Sequence, residues 1–163
     1  MEKWNMKILI IGTVGTGKTT LARKLSEKYN IKYYEIDSIV HDDINKKKRT
    51  DKQQKEIIRD INKEDDWIIE GVLRKNLEYL LEMAEKIIYL NIPKKIRNKR
   101  IIARYIKQKI GIEKSNYKPS LKMLKMMFKW SNEFEKNRDE FENKLNKYVD
   151  KLEVIGNEKT KYV

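Results

Sequence analysis

A glycine-rich loop near the start of the chain separates an apolar segment from a segment of helical pattern. The apolar segment, Lys7–Ile11, has the composition of a buried strand, and Lys18–Tyr29 has the pattern of an amphipathic helix. The loop fits G-x-x-x-x-G-K-[ST], the phosphate-binding loop of nucleoside-triphosphate enzymes. Because strand, loop and helix follow in this order, we favour that interpretation over an ordinary glycine-rich turn. The eight loop residues are Gly12, Thr13, Val14, Gly15, Thr16, Gly17, Lys18 and Thr19.

This loop is suited to binding a polyphosphate. Glycines let the backbone wrap closely, so that its N–H groups face the phosphate oxygens. The helix N-terminus adds a partial positive charge. We expect Lys18 to reach the β- and γ-phosphates and the Thr19 hydroxyl to bind Mg²⁺, with Thr20 also at the nucleotide. The predicted cofactors are therefore ATP and Mg²⁺.

Composition limits the class of protein. A chain of 163 residues predicts one domain over residues 1–163, and the absence of cysteine excludes disulfides and thiolate zinc sites. No signal peptide and no apolar run of membrane-spanning length is visible, so we expect a cytoplasmic protein with no membrane partner. The net charge of +13 fits either a polyanionic partner, such as a nucleotide or nucleic acid, or a lysine-rich solvated surface. The oligomeric state is left open.

Apolar strands alternate with helical patterns along the chain, which is typical of βαβ units and a parallel sheet. Ligands of such sheets bind at the carboxyl ends of the strands. The predicted strands are Lys7–Ile11, Lys32–Ile36, Trp67–Glu70, Lys86–Leu90 and Leu152–Ile155. The predicted helices are Lys18–Tyr29, Asp51–Asn62, Lys75–Met83, Lys94–Ile110 and a long or broken stretch over Pro119–Tyr148.

Two acidic residues end strands of this predicted sheet. Glu70 follows the apolar run Trp67–Ile69, where a carboxylate can hold Mg²⁺ or orient the attacking group, and Gly71 allows a sharp turn after it. Asp37 follows the second strand. It is interpreted either as a ligand of an acceptor hydroxyl or of the metal, or as the N-cap of a turn starting at Ser38.

A row of basic residues at helical spacing follows the fourth strand. Arginine forks bind phosphate oxygens and stabilise a transferring phosphoryl group, although a solvated basic face has the same pattern. Beside a phosphate loop we favour function for Arg100 and Arg104. The row comprises Arg97, Arg100, Arg104 and Lys107, with Ile96, Ala103, Ile106 and Ile110 predicted to form the packed face. With the polar loop 111–118, this segment predicts a lid over about residues 105–120.

Large apolar residues recur at helical spacing between Leu121 and Phe141, which core packing explains better than base stacking. Arg138 lies within this stretch. It is interpreted either as a residue that reaches the phosphates or as a surface residue.

The chain resembles the P-loop kinases of the adenylate kinase and shikimate kinase type, and it is similar to bacterial DNA topology modulation proteins (FlaR-like). The resemblance covers nearly the whole chain and rests on the phosphate loop with Thr20–Ala22, on Tyr34–Asp37, on Trp67–Gly71 and on Ala84–Pro93 with the arginine helix. It implies an α/β P-loop NTPase fold, a three-layer αβα sandwich whose five-stranded parallel sheet has the order 2-3-1-4-5, with a short helical lid. In the family pattern Asp-Gly-x-x-Arg, Glu70 replaces the aspartate. Arg74 takes the place of the arginine that binds the acceptor phosphate. Arg100 matches the family arginine near the nucleotide base, and Arg104 matches one that contacts phosphates.

The expected function is transfer of the γ-phosphate of Mg·ATP to a small-molecule or nucleotide acceptor. Lys18, Glu70, Arg100 and Arg104 are the expected catalytic residues. Asp37, Gly71, Arg74 and Arg138 are the candidates for the acceptor side, and Thr19, Asp37 and Glu70 are the candidate metal ligands. The alternatives are a nucleic-acid-associated P-loop ATPase and a nucleotide-binding protein without turnover.

Overall fold

The computed structural model describes residues 6–42, 44–113 and 118–156. The strands are β1 (Lys7–Ile11), β2 (Tyr33–Glu35), β3 (His41–Asp42), β4 (Lys47–Lys48), β5 (Trp67–Gly71), β6 (Lys86–Leu90) and β7 (Leu152–Ile155). The α-helices are α1 (Lys18–Tyr29), α2 (Ile36–Val40), α3 (Asp51–Asn62), α4 (Leu80–Met83), α5 (Lys94–Lys109) and α6 (Leu121–Leu145). Two 3-10 helices cover Lys75–Leu77 and Asn146–Lys151.

The main sheet contains five strands in the order β2-β5-β1-β6-β7. Counted along the chain among these five, the order is 2-3-1-4-5. Strand β1 pairs in parallel with β5 and β6, and β2 pairs in parallel with β5. The central strands are apolar on both faces, as buried parallel strands are, and Leu9–Ile11 and Trp67–Ile69 are fully buried. The predicted α/β P-loop fold with its five-stranded sheet is confirmed.

Helix boundaries follow local capping chemistry. Helix α3 begins after Thr50, whose hydroxyl accepts from the Gln53 N–H while the Gln53 side chain accepts from the Thr50 N–H, a capping box. Helix α6 begins after Ser120, whose hydroxyl accepts from the Met123 N–H. It ends at Leu145 and continues as the 3-10 helix.

The described residues fall into two compact units, which we treat separately. The first unit comprises 6–12, 17–90 and 148–154, and the second comprises 13–16, 91–147 and 155–156. The phosphate loop contributes to both, because its ends belong to the first unit and its four central residues to the second. The prediction of one domain over 1–163 stays a prediction.

The structure corrects several predicted elements. Ile36 begins a helix instead of ending β2, and the predicted helix Lys75–Met83 is a 3-10 turn followed by the short α4. The hairpin of β3 and β4 was not predicted. Its strands are only two residues long, too short for an alternating pattern, and the Asp42 carboxylate forms its turn by accepting the N–H groups of Ile44 and Asn45.

Among the helices that the structure describes, none combines the length and the apolar character that a membrane span requires.

Candidate active site

The phosphate loop follows the buried end of β1 and leads into α1. Gly15 and Gly17 have φ values of 78° and 95°, which favour glycine because a side chain is strained there. The Thr16 hydroxyl donates to the Thr13 carbonyl oxygen at 2.9 Å, which closes the loop on itself. Gly17 is the N-cap of α1 and offers no side-chain acceptor. The first N–H groups of α1 are therefore not capped by that residue, as at helix N-termini that bind anions.

In the first unit, the two residues that end the loop motif lie beside the carboxyl end of β5. The Thr19 hydroxyl donates to a Glu70 carboxylate oxygen at 2.6 Å. Glu70 is buried, with 4% of its surface exposed, and Lys18 is also buried. Two residues that are 51 positions apart in sequence, and that were predicted independently as metal ligands, are thus brought together. Thr20 is exposed in the first turn of α1.

Burial raises the pKa of the Glu70 carboxyl group above the ordinary value for glutamate. The positive charge of Lys18 and the hydrogen bond from Thr19 oppose this effect, while the nearby carboxylates of Glu35 and Asp37 add to it. Burial is thus the main cause of the shift, and the neighbouring carboxylates contribute less.

The chemistry of these donors fits Mg²⁺. This ion takes oxygen ligands, and at nucleotide sites it is held by one or two protein oxygens together with phosphates and water. Thr19 and Glu70 supply a hydroxyl and a carboxylate at one place. Within the described ranges, no group of three or more His, Cys, Asp or Glu residues forms a cage that could hold a metal by itself. The residues suit a metal that arrives with a phosphate ligand.

Gly71, the last residue of β5, makes a close packing contact with Ile36. A Cβ on Gly71 would lie 2.6 Å from the Ile36 Cβ, which is closer than real Cβ contacts come. Glycine at 71 therefore allows Ile36, fully buried at the start of α2, to pack directly against the β5 backbone. This close contact is compatible with the start of a helix at Ile36, where the sequence predicted the end of β2.

Asp37 and Arg74, which the sequence analysis predicted to bind the acceptor, form an ion pair close to this contact. Arg74 donates through Nη2 to an Asp37 carboxylate oxygen at 2.8 Å, and the Asp37 side chain is 73% exposed. Asp37 is the second residue of α2 and Glu35 is the N-cap. The alternative interpretation of Asp37 as the N-cap of a turn at Ser38 is therefore wrong, because the helix begins earlier than the sequence predicted.

Polar residues that sequence reasoning missed support this acceptor side. Arg49 donates to the carbonyl oxygens of Ser38 and His41, both at 2.6 Å, at the carboxyl end of α2. Fully buried Gln54 donates to the Arg49 carbonyl oxygen at 2.7 Å. Gln54 also accepts from Asn76, two residues after Arg74. The sequence held one signal for this cluster: Gln54 occupies a position on the apolar face of the amphipathic helix α3.

In the second unit, the centre of the phosphate loop packs against α5. A Cβ on Gly15 would lie 2.9 Å from the Arg97 carbonyl oxygen and 3.1 Å from Ile101 Cγ1. The Arg100 guanidinium donates to the Thr16 carbonyl oxygen at 2.9 Å. Arg100, a member of the row of basic residues, thus bonds to the loop itself.

Arg104 lies one turn further along α5, is half exposed and pairs with Glu113 at 3.5 Å. The chain leaves α5 through Gly111, with φ of 79°, and the N–H groups of Ile112 and Glu113 donate to the Lys107 carbonyl oxygen. These bonds fold the first part of the predicted lid back on the helix. The lid over about 105–120 remains a prediction, because residues 114–117 lie outside the described residues.

The packed face of α5 differs from the predicted one. Its buried residues are Arg97, Ile101 and Gln108, whereas Ile106 and Ile110 are 50% and 61% exposed. The prediction of Ile96, Ala103, Ile106 and Ile110 as the packed face is wrong for the last three, which are exposed. The sequence pattern failed because two of these three buried positions, Arg97 and Gln108, are polar residues that hydropathy assigns to the surface.

Arg97 and Arg138 share one carboxylate. Arg97 has no exposed surface and forms an ion pair with Glu135 of α6. Arg138 donates to the same Glu135 oxygen at 2.6 Å and to the Asn91 side-chain oxygen at 2.7 Å. Both guanidinium groups lie over the Phe134 ring, 5.5 and 5.6 Å from its centroid. The interpretation of Arg138 as a phosphate ligand stays a prediction, and Glu135 and Asn91 are members of this cluster that the sequence did not single out.

Residues 8–118 match the model of a family described as "AAA domain". The chain belongs to this AAA domain family. A GTP:AMP phosphotransferase of Plasmodium falciparum (isolate 3D7) is 28% identical over 81 residues, which are 50% of this AAA domain chain. The match covers 35% of the phosphotransferase, so the chain spans about a third of the length of that curated relative.

Among solved structures, shikimate kinase from Bacteroides thetaiotaomicron is similar to this AAA domain protein in fold. The two share 16% sequence identity, and the TM-score is 0.51 over 82% of this chain and 79% of the kinase. This similarity supports the fold assignment and carries no residue-level argument.

Proposed function

We propose that this chain is an ATP-dependent phosphotransferase, which moves the γ-phosphate of Mg·ATP to a small hydroxyl or phosphate compound, nucleoside monophosphates included. The observation that carries the proposal is the 2.6 Å hydrogen bond from Thr19 to buried Glu70, directly after the lysine of a complete phosphate-loop motif. It places beside the loop an acidic residue of the kind that helps to hold Mg²⁺ in P-loop enzymes. The names of the curated relative and of the fold neighbour, both kinases, support the same reaction class.

The residues of the loop bind and orient the triphosphate. Backbone N–H groups of the loop and of the first turn of α1 donate to phosphate oxygens, and Lys18 neutralises charge on the β- and γ-phosphates. Arg100 and Arg104 supply further positive charge toward the transferring group. Phosphoryl transfer needs little covalent help from a protein, so placement and charge neutralisation supply most of the acceleration.

Thr19 and Glu70 are the residues that would hold Mg²⁺, with Asp37 as a further candidate through water. When bound, the ion neutralises charge on the phosphate oxygens. Glu70 must be ionised for this role, and the positive charge of Lys18 with the Thr19 hydrogen bond favours that state.

Asp37 and Arg74 are proposed to bind the acceptor. The carboxylate accepts a hydroxyl proton or hydrogen bond, the guanidinium binds an acceptor phosphate or carboxylate, and Gly71 provides the turn beside them. Because the Asp37 side chain is 73% exposed, an acceptor anion can replace it on the half-buried Arg74 without leaving a buried carboxylate unpaired. Arg138 is retained as a further candidate on the acceptor side.

Calorimetry and an ADP assay test the proposal. Wild-type protein is titrated with Mg·ATP, and ADP release is then followed against a panel of nucleoside monophosphates and small hydroxy acids. We expect heat of binding, and ADP formation that one acceptor class accelerates. Binding without ADP formation across the panel would leave a nucleotide-binding protein without turnover, and absence of binding would overturn the nucleotide assignment.

The nucleic-acid-associated ATPase is the second candidate that the sequence offered. It rests on the net charge of +13 and on the resemblance to DNA topology modulation proteins, and the comparisons do not favour it. Duplex DNA binding measured at low and at physiological salt tests it, because binding through phosphates weakens steeply with salt. A cytoplasmic location remains part of the proposal.

A further inference from the structure

We propose that Glu135 is a positioning residue for the phosphate loop: it holds Arg97 in place, and with it the turn of α5 against which Gly15 packs. The inference rests on the proposed function in that the loop binds a triphosphate. All of the residues that carry it belong to the second unit.

The centre of the phosphate loop contacts the backbone of α5. Gly15 approaches the Arg97 carbonyl so closely that a Cβ would lie 2.9 Å from the oxygen. One turn later Arg100 bonds to the Thr16 carbonyl oxygen. A displacement of α5 at Arg97 would therefore be transmitted to Gly15 and Thr16, because closely packed groups have little room to adjust independently.

An ion pair with Glu135 of α6 holds the Arg97 side chain in place. This side chain is fully buried, and Glu135 is the carboxylate to which its Nη2 is bonded. A buried guanidinium needs such a partner, since an ion out of water is costly unless it is paired. The side chain is also stacked over Phe134. Arg97 is thereby attached to α6 at a point one helical turn before the arginine that bonds to the loop.

Glu135 is in turn bonded to Arg138. The same carboxylate oxygen accepts from Arg138, which is tied to Asn91, directly after β6. Asn91 in turn donates to Glu142 of α6 at 3.2 Å. Glu135 is thus bonded both to Arg97 of α5 and to an arginine of its own helix, which connects it to Asn91. The network therefore links the turn of α5 that carries Arg97 to α6 and to the residue that follows β6.

The test compares Glu135→Ala with Glu133→Ala, a matched control on the same helix whose carboxylate is 51% exposed and pairs only loosely with Lys129 at 3.8 Å. The measured quantity is the ratio of the affinities for Mg·ATP and for adenosine, which isolates binding of the phosphates. We expect Glu135→Ala to lower this ratio about 10- to 100-fold, as small misplacements of binding groups do, and the control to leave it unchanged.

Amide hydrogen exchange over Thr13–Thr16 gives a readout that needs no nucleotide. Glu135→Ala is expected to accelerate exchange there relative to Glu133→Ala, because the loop loses its fixed support. If wild-type protein fails to bind Mg·ATP, the proposed function fails, while the exchange measurement still decides whether Glu135 positions the loop. Unchanged exchange over these residues would overturn the inference.

A double variant separates positioning from direct contact with the ligand and also serves if Glu135→Ala does not fold. Arg97→Met with Glu135→Gln removes the ion pair and its buried charge, while the amide oxygen at position 135 can still accept from Arg138; loss of a buried pair as a whole is often tolerated. We expect it to recover most of the affinity ratio and the slow exchange. Failure to recover the ratio in a folded double variant would mean that Glu135 does not act through Arg97.

Discussion

Two hydrogen-bonded pairs of the first unit have similar lengths and very different surroundings. Thr19 donates to Glu70 at 2.6 Å, and Glu70 is 4% exposed. Arg74 donates to Asp37 at 2.8 Å, and the Asp37 side chain is 73% exposed. Both pairs were predicted as functional from sequence. The difference teaches that the proposed nucleotide side is fixed by burial, whereas the proposed acceptor side is held by a pair whose carboxylate water and ligands can reach.

The largest expected effect is on the buried side. Lys18→Ala removes the charge that we propose to face the β- and γ-phosphates. Turnover should fall by about 10²- to 10³-fold, as it does when an enzyme loses one preorganised group that stabilises transition-state charge. ADP release under saturating acceptor measures it, and circular dichroism checks the fold. Lys24→Ala, an exposed lysine of the same helix, is the control. Wild-type turnover in Lys18→Ala would end the assignment of this loop.

Glu70→Gln tests whether the buried Glu70 carboxylate binds Mg²⁺. The amide keeps the size and can accept from Thr19, but it binds metal poorly, so Mg²⁺-dependent affinity for ATP should fall by about 10- to 100-fold. Calorimetry with and without Mg²⁺ measures this change. An equal loss without the metal would contradict the role in metal binding.

The same variant has a pH signature. Because burial raises the pKa of Glu70 in the folded protein, ionisation destabilises the wild type at pH values above that pKa. This destabilisation disappears as the pH falls below the ordinary glutamate value. Glu70→Gln should therefore be more stable than wild type at about pH 8 and lose that advantage toward about pH 4. Chemical denaturation at both pH values checks the sign.

Arg104→Ala should reduce turnover about tenfold, while Lys107→Ala changes it less than about twofold, because a guanidinium fork aimed at phosphates does more than an exposed lysine. Steady-state kinetics of the two variants side by side measure the difference. Both are exposed residues of α5, so each is a fair control for the other. Equal losses would count against the arginine role.

The smallest expected effect on stability is on the exposed pair. Asp37→Asn should change the free energy of unfolding by less than about 1 kcal/mol, as surface ion pairs do. If Asp37 binds the acceptor, the variant should nevertheless raise the KM for the acceptor and leave the KM for ATP unchanged. A rise in both constants would place Asp37 on the nucleotide side instead.

The parts of the fold that the sequence predicted are those with a strong local pattern. The central strands are unbroken apolar runs, and the loop motif is defined by residue type and spacing, so both were located correctly. The packed face of α5 was not predictable from hydropathy, because buried Arg97 is stabilised by Glu135, which is 38 residues away in sequence. Ile36, where α2 starts, packs against Gly71, a residue distant in sequence that no local pattern around Ile36 reveals.

The contact between Gly71 and Ile36 has a consequence for anyone who wishes to redesign acceptor selectivity. The two positions share a single volume, so a side chain can be added at 71 only if one is removed at 36. Libraries that add side chains at position 71 and keep Ile36 will therefore sample mostly strained proteins. Randomising the two together opens combinations in which the neighbouring Asp37 and Arg74 are presented at new spacings.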